Sequence, residues 1–193
     1  MLYGGTALAL RYGHRYSTDF DYFSDRPLDA NGLIALLHTT EASEVLHQSE
    51  NSLMVRIKFD AAPVKLSFFG NFPFGRVGVP DVIPGHAVIA SPIDLLATKL
   101  KTLHDRIEAR DYLDIEALLR GGLSLNQGIA AAMAMFETRI NPLDTAKAVA
   151  WFKDGGLETS LAASTRSYLA QASSTFDPHI VPAEIISRSL AAD

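Results

Sequence analysis

The segment Ser17-Thr-Asp-Phe-Asp-Tyr-Phe23 alternates two aspartates with aromatic residues. Aspartate is disfavoured in strands, yet the aromatic alternation predicts a strand over residues 18–23. On a strand, residues i and i+2 share a face, about 7 Å apart along the chain. Asp19 and Asp21 are therefore expected on one face, with Phe20 and Tyr22 on the other. Such a strand must set its aromatic face on a core and its acidic face on a cleft or on solvent. Two carboxylates that close repel each other unless a positive charge lies between them. A divalent cation meets that need, and Mg²⁺ favours carboxylate oxygens together with phosphate oxygens. Taken alone, Asp-x-Asp is short, and two exposed acids on an edge strand are the plainer reading.

The upstream residues shift that balance. Leu2-Tyr3 is a short extended segment that ends in Gly4-Gly5, and Thr6 is placed to cap a short helix running to Arg11. Paired glycines let backbone N–H groups approach a phosphate, and a helix N-terminus favours an anion. A phosphate cradle followed by an acidic strand fits a nucleoside triphosphate chelated to Mg²⁺. Ser17 is expected beside the metal or as a cap of the turn. A nucleotide-sugar glycosyltransferase using Asp-x-Asp needs a nucleotide-binding βα segment upstream of the acidic pair, and with 18 residues before Asp19 that class is not the one expected.

The rest of the chain reads as strands first and helices later. Residues 31–38 predict a helix, and residues 52–59 and 63–69 predict antiparallel strands joined at Asp60-Ala-Ala. Residues 72–86 carry Pro and Gly and read mostly as loop. Helical patterns follow over 93–119, with a break expected near Glu108, and over 126–136, 142–148 and 157–172. Composition shifts from Gly, Pro and aromatic to Ala and Leu near Ser91-Pro92. The expected architecture is α+β, a mixed sheet core over residues 1–91 and a helical part over 92–193.

Composition narrows the chemistry. There is no Cys, which removes thiolate metal sites, disulfides and Cys nucleophiles. The six His show no zinc-hydrolase spacing and Gly-x-Ser-x-Gly is absent. A net charge of −5 argues against an extended nucleic-acid coat. No apolar run reaches the roughly 18 residues of a membrane span, and the first residues lack a secretory pattern, so a soluble cytoplasmic protein is expected.

Gly4-Gly5-Thr6-Ala7-Leu8-Ala9-Leu10, followed by Gly13-His14-Arg15-x-Ser17-x-Asp19-Phe20-Asp21-x-Phe23, resembles the opening motif of the AbiEii/AbiGii-type nucleotidyltransferase toxin family, within the polymerase-β-like nucleotidyltransferase superfamily. The family also commonly carries a helical Lys, then Arg-x-x-x-Arg-Asp and a further Asp, matched here by Lys99, Arg106, Arg110-Asp111 and Asp114. The resemblance covers roughly residues 2–119. Two departures stand out. Family members usually have more residues before the Gly-Gly turn, so a longer native start is expected. The superfamily often places a third carboxylate on a later strand, where this chain has Ser67; Asp60 or Asp111 is then expected as its substitute.

The resemblance implies a nucleotidyltransferase-like mixed sheet with flanking helices. It implies transfer of an NMP from an NTP to an acceptor hydroxyl, RNA or tRNA among the candidates, by a toxin with a cognate antitoxin. Asp19 and Asp21 are the candidate ligands of Mg²⁺, with Lys99 and Asp111 completing the catalytic set. Gly4, Gly5, Thr6, Ser17, Arg106 and Arg110 are the candidate nucleotide-binding residues. Lys99, Arg106 and Arg110 form one stripe if a single helix carries them. Asp114 and His14 are expected in structural roles, and Phe68, Phe69, Phe72 and Phe74 mainly in packing. A catalytically degenerate module that binds nucleotide or a partner, with the third acid lost at Ser67, is the alternative.

Overall fold

A computed structural model of the chain describes residues 1–38, 43–59 and 62–190. Its elements are β1 (Leu2–Tyr3), α1 (Gly4–Tyr12), β2 (Asp19–Phe23), α2 (Ala30–His38), β3 (Ser43–Gln48), β4 (Ser52–Lys58), β5 (Pro63–Phe69), β6 (Asp81–Ile83), β7 (Ala87–Ile89), α3 (Pro92–Thr102), α4 (Ala109–Arg120), α5 (Leu125–Phe136), a 3-10 turn (Glu137–Arg139), α6 (Pro142–Val149), α7 (Leu157–Ser160) and α8 (Ala163–Ser174). The seven strands form one mixed sheet in the order β3-β4-β5-β2-β1-β7-β6. The α+β expectation is met, with the strands preceding most of the helices.

The sheet is mixed because its centre combines two kinds of pairing. β2 pairs antiparallel with β1 and parallel with β5. β1 is only two residues long, yet Leu2 and Tyr3 are buried, and Leu2 also pairs in parallel with Ile89 of β7. The hairpin of β4 and β5 holds its register from Ser52↔Phe69 to Lys58↔Pro63. β3 and β7 were not foreseen, and β6 falls inside the stretch read as loop. Their short or weakly alternating sequences gain strand structure only by pairing with a neighbour.

The two faces of the sheet are treated differently. Alternation sends Leu53, Val55, Leu66 and Phe68 to one face, where α2 covers them through Leu33, Ile34 and Leu37. Met54, Lys65, Ser67 and Phe69 turn to the other face, which floors an open cleft. The helices wall that cleft. Ser91 caps α3, accepting from Asp94 N–H at 3.2 Å, with Pro92 in the first turn.

α5 starts with a capping box formed by Ser124 and Gln127. Its Gly128 faces α3, where an added Cβ would come within 2.5 Å of Leu96 Cδ2, so the glycine permits close helix packing. One hydrophobic cluster joins Leu2, Tyr3 and Ile89 of the sheet to Leu95, Ile115, Ile129, Leu157 and Leu169 of the helices.

The pattern over 93–119 resolves into two helices, with Thr102 ending α3 and Glu108 preceding α4. Lys99, Arg106 and Arg110 therefore do not share one helix. Similarly, 157–172 divides into α7 and α8. No helix among the described residues is long and apolar enough to cross a membrane.

Candidate active site

The acidic strand places its charges as its alternation requires. Asp19, Asp21 and Phe23 all line a cleft of about 910 Å³, together with Gly4, Gly5, Arg15, Ser17, Lys65, Ser67, Lys99, Arg106, Arg110 and Arg139. The parallel register sets Asp19 opposite Lys65 and Asp21 opposite Ser67. Lys65 Nζ lies 3.1 Å from Asp19 Oδ2, a pair in which both side chains are over a third exposed. The Ser67 hydroxyl donates a hydrogen bond to Asp21. Burial pushes the Asp21 carboxyl above its usual range, against the opposing effects of Ser67, Lys65 and Lys99.

The start of α1 faces this acid. Gly4 has φ +73°, and a Cβ there would sit 2.7 Å from Asp21 Oδ2. A Cβ on Gly5 would collide with the Arg15 guanidinium. Both glycines thus allow Asp21 and Arg15 to close over the first turn, whose N–H groups have no intrahelical acceptor. Thr6 differs from its expected place. Helix α1 begins at Gly4 with Tyr3 before it, so Thr6 lies inside the helix and is buried. Its hydroxyl reaches Ser17 Oγ at 2.8 Å and the Asp19 carbonyl at 2.5 Å. It fastens the loop leading into β2 rather than capping the helix or facing the cleft. Ser17 does line the cleft.

The opposite wall is a buried charge network. Lys99 Nζ lies 2.7 Å from Asp111 Oδ1 and 2.7 Å from Asp114 Oδ2. Arg15 clamps Asp114 through Nε at 2.7 Å and a terminal nitrogen at 2.8 Å, and His14 Nε2 meets the same carboxylate at 2.7 Å. Arg106 Nε donates to Asp111 Oδ2 at 3.0 Å. Burial alone would raise both acids, but the Arg106 and Lys99 contacts hold Asp111 below the usual carboxylate range. The Arg15, Lys99 and His14 contacts do the same for Asp114.

Asp111 is therefore not an acid open to the cleft. It is fully buried, both oxygens are engaged, and its place is to position Lys99 and Arg106. Arg110 lies at the cleft in an ion pair with Glu108 at 2.5 Å. Asp60 lies outside the described residues.

Arg15, Lys65 and Arg139 are among the cleft residues missing from the sequence-based set. Arg15 sits inside the opening motif, and its role depends on Asp114, distant in sequence. Lys65 shares the face of Ser67 by alternation, a signal present in Val64-Lys-Leu-Ser but silent until β5 is known to flank β2. Arg139, in the 3-10 turn, is exposed and has no ion-pair partner among the described residues. The far end of the cleft is aromatic, with Phe72 edge-on to Phe23 at 4.8 Å and Phe74 against Phe136 at 5.3 Å. Phe68 is not part of it, since it stacks on Tyr22 on the other face.

These residues fit a phosphate-bound Mg²⁺ better than a metal held by protein alone. Asp19 and Asp21 aim into one space, and burial leaves Asp21 in need of a counter-charge. No cluster of three or more metal-ligating His, Asp or Glu side chains exists among the described residues. Mg²⁺ commonly takes one or two carboxylates and fills its remaining positions with water and substrate phosphates.

The model of the family described as "Nucleotidyl transferase AbiEii toxin, Type IV TA system" matches residues 1–183. The chain belongs to the AbiEii nucleotidyl transferase toxin family. An uncharacterized protein of Aquifex aeolicus (strain VF5) is 30% identical over 122 residues, 62% of this chain and 57% of that protein. The chain thus matches a little over half the length of this relative. The fold is similar to that of JHP933 from Helicobacter pylori, with TM-score 0.58 and 20% identity, covering 90% of this chain and 82% of that one. It is also similar to MenT4, the nucleotidyltransferase toxin Rv2826c of Mycobacterium tuberculosis H37Rv, with TM-score 0.58 and 14% identity, covering 92% and 76%. At these identities the structural likeness speaks for the fold.

Proposed function

We propose that this AbiEii family member is a Mg²⁺-dependent nucleotidyltransferase acting as the toxin of a toxin–antitoxin pair. It moves an NMP from an NTP to an acceptor hydroxyl, on RNA such as tRNA, and releases pyrophosphate. The observation that carries this reading is the placement of Asp19 and Asp21 on one face of β2, against the Gly4-Gly5 start of α1, with Lys99 and Arg106 across the same cleft.

The roles follow from that placement. Asp19 and Asp21 hold Mg²⁺, which neutralises phosphate charge and polarises the phosphoryl oxygens. The N–H groups of Gly4 and Gly5 offer donors to the polyphosphate. Arg106 and Arg110 carry guanidinium charge to the leaving pyrophosphate, and Lys99 adds positive potential from behind them. Ser67 supplies a hydroxyl that fixes Asp21 and is no base at neutral pH. Phosphoryl-type transfer relies mainly on positioning and charge neutralisation, so the reaction is compatible with that Ser.

The test is transfer of labelled nucleotide to RNA with Mg²⁺, for each of the four NTPs. Wild type is expected to transfer, and Asp19→Ala to lose at least about a hundredfold, the scale of losing an electrostatic group at a reacting centre. The degenerate binding-module reading rests on Ser67 and on the Lys65 pair that occupies Asp19. It is selected if wild type binds Mg²⁺ and NTP without transfer.

A further inference from the structure

Two neighbouring parallel strands present four side chains to the cleft floor as two register pairs, Asp19 with Lys65 and Asp21 with Ser67. A site for two divalent cations a few ångströms apart needs enough anionic ligands to hold both against their mutual repulsion. This floor has two carboxylates, one already neutralised by an ammonium at 3.1 Å. Among the described residues no third metal-ligating side chain joins them. The other acids lining the cleft do not relieve this: Asp105 is bound by Lys101, and Glu137, on the 3-10 turn, forms no metal-ligating group with Asp19 and Asp21. Asp111, buried in the wall, is sequestered by Lys99 and Arg106.

Lys65 is itself directed to Asp19. Its register partner on β4 is Arg56, a like charge that pairs outward with Glu44 at 2.9 Å. On the β2 side, Asp19 is the acid placed to receive it.

We propose that the Lys65 ammonium takes the place of a second divalent cation, so that the cleft works with a single Mg²⁺ carried in with the nucleotide. This rests on the nucleotidyltransferase reading above and deepens it. Lys65 acts as a positioning residue. It holds Asp19 before the nucleotide arrives, and it supplies a fixed positive charge where a second ion would otherwise be needed. Ser67 then follows naturally, because a third carboxylate beside Asp21 would have no second ion to bind.

Equilibrium dialysis with radioactive Mn²⁺ and each of the four α,β-methylene nucleoside triphosphates in turn reads the number of ions retained per nucleotide on the full chain. Wild type is expected to retain one Mn²⁺ per nucleotide, and Lys65→Met with Ser67→Asp is expected to retain two. In Mn²⁺ titrations without nucleotide, followed by water proton relaxation, Lys65→Met is expected to bind roughly tenfold more tightly, the order of effect of one nearby unit charge on a carboxylate. Lys65 is over a third exposed and its ion pair with Asp19 is of the weak, solvent-screened kind, so Lys65→Met should melt close to the wild-type temperature. Two Mn²⁺ per nucleotide on wild type, or unchanged metal affinity in Lys65→Met, overturns the proposal while leaving the nucleotidyltransferase reading intact. Failure of any analogue to be retained with Mn²⁺ overturns both.

Discussion

Lys99 and Asp111 meet at 2.7 Å with both side chains almost wholly withdrawn from solvent, 7% exposed for the lysine and 0% for the aspartate. They lie on separate helices, α3 and α4, and Asp114 joins them from the next turn of α4. Removing one partner of a buried charge group leaves an uncompensated ion, at a cost of about 3–5 kcal/mol. Lys99→Met is thus expected to lower unfolding free energy by up to that order, since it removes the buried cation that Asp111 and Asp114 share and leaves them only Arg106, Arg15 and His14. Urea unfolding without any nucleotide measures it, and a loss below about 1 kcal/mol, the range of an exposed pair, would contradict the buried network.

The same network sets an acid sensitivity. Asp111 and Asp114 are held below their ordinary range in the folded state. Their contribution to stability is full above the unfolded carboxylate value of about 3.9. It is lost as the pH falls from there through the depressed folded values. Asp21, held above its range, acts in the opposite sense, its contribution fading as the pH rises through its folded value. Melting temperature against pH should therefore fall steeply below about pH 4 in wild type. Asp114→Asn should melt lower at neutral pH and show a shallower acid limb; parallel curves would sink the assignment.

Gly4 combines a left-handed backbone with the Asp21 carboxylate at contact distance from any added Cβ. Gly4→Ala should cost on the order of 1–3 kcal/mol in backbone strain and displace Asp21 as well. Calorimetry and Mn²⁺ affinity are expected to fall together. Gly13→Ala provides the comparison, because it shares a positive φ but meets nothing within 4 Å. It should lose stability and keep metal binding.

Arg139 tests the cleft rim. Being exposed and without an ion pair among the described residues, it should tolerate Arg139→Ala within about 0.5 kcal/mol of stability. RNA binding should weaken, and the slope of log affinity against log salt should shrink by about 0.7, the value for one phosphate contact on a single strand. An unchanged slope would remove Arg139 from the acceptor path.

Much of this protein was already legible along the chain. Alternation alone puts Asp19 and Asp21 on one face, because a strand's side-chain period is two. The Gly4-Gly5 pair marks a close approach, since only glycine admits that backbone and that proximity. Strands before helices indicated the α+β class. The break between α3 and α4 was anticipated near Glu108, and local signals located most of the helices.

What the sequence could not decide were relations between distant segments. β3, β6 and β7 exist through pairing, which a short local window does not encode. Thr6 changed from an expected cap to a clamp on Ser17 and Asp19 once the helix began three residues earlier, with Tyr3 at the cap position. Asp111 carries an acid's identity in the sequence, but only packing of α4 against α3 buries it and commits both its oxygens to Lys99 and Arg106. Lys65 meets Asp19 because β5 lies parallel to β2 in a register that no local pattern specifies. Alternation is a property of the bonded chain, whereas charge pairing depends on which strands and helices the core brings side by side.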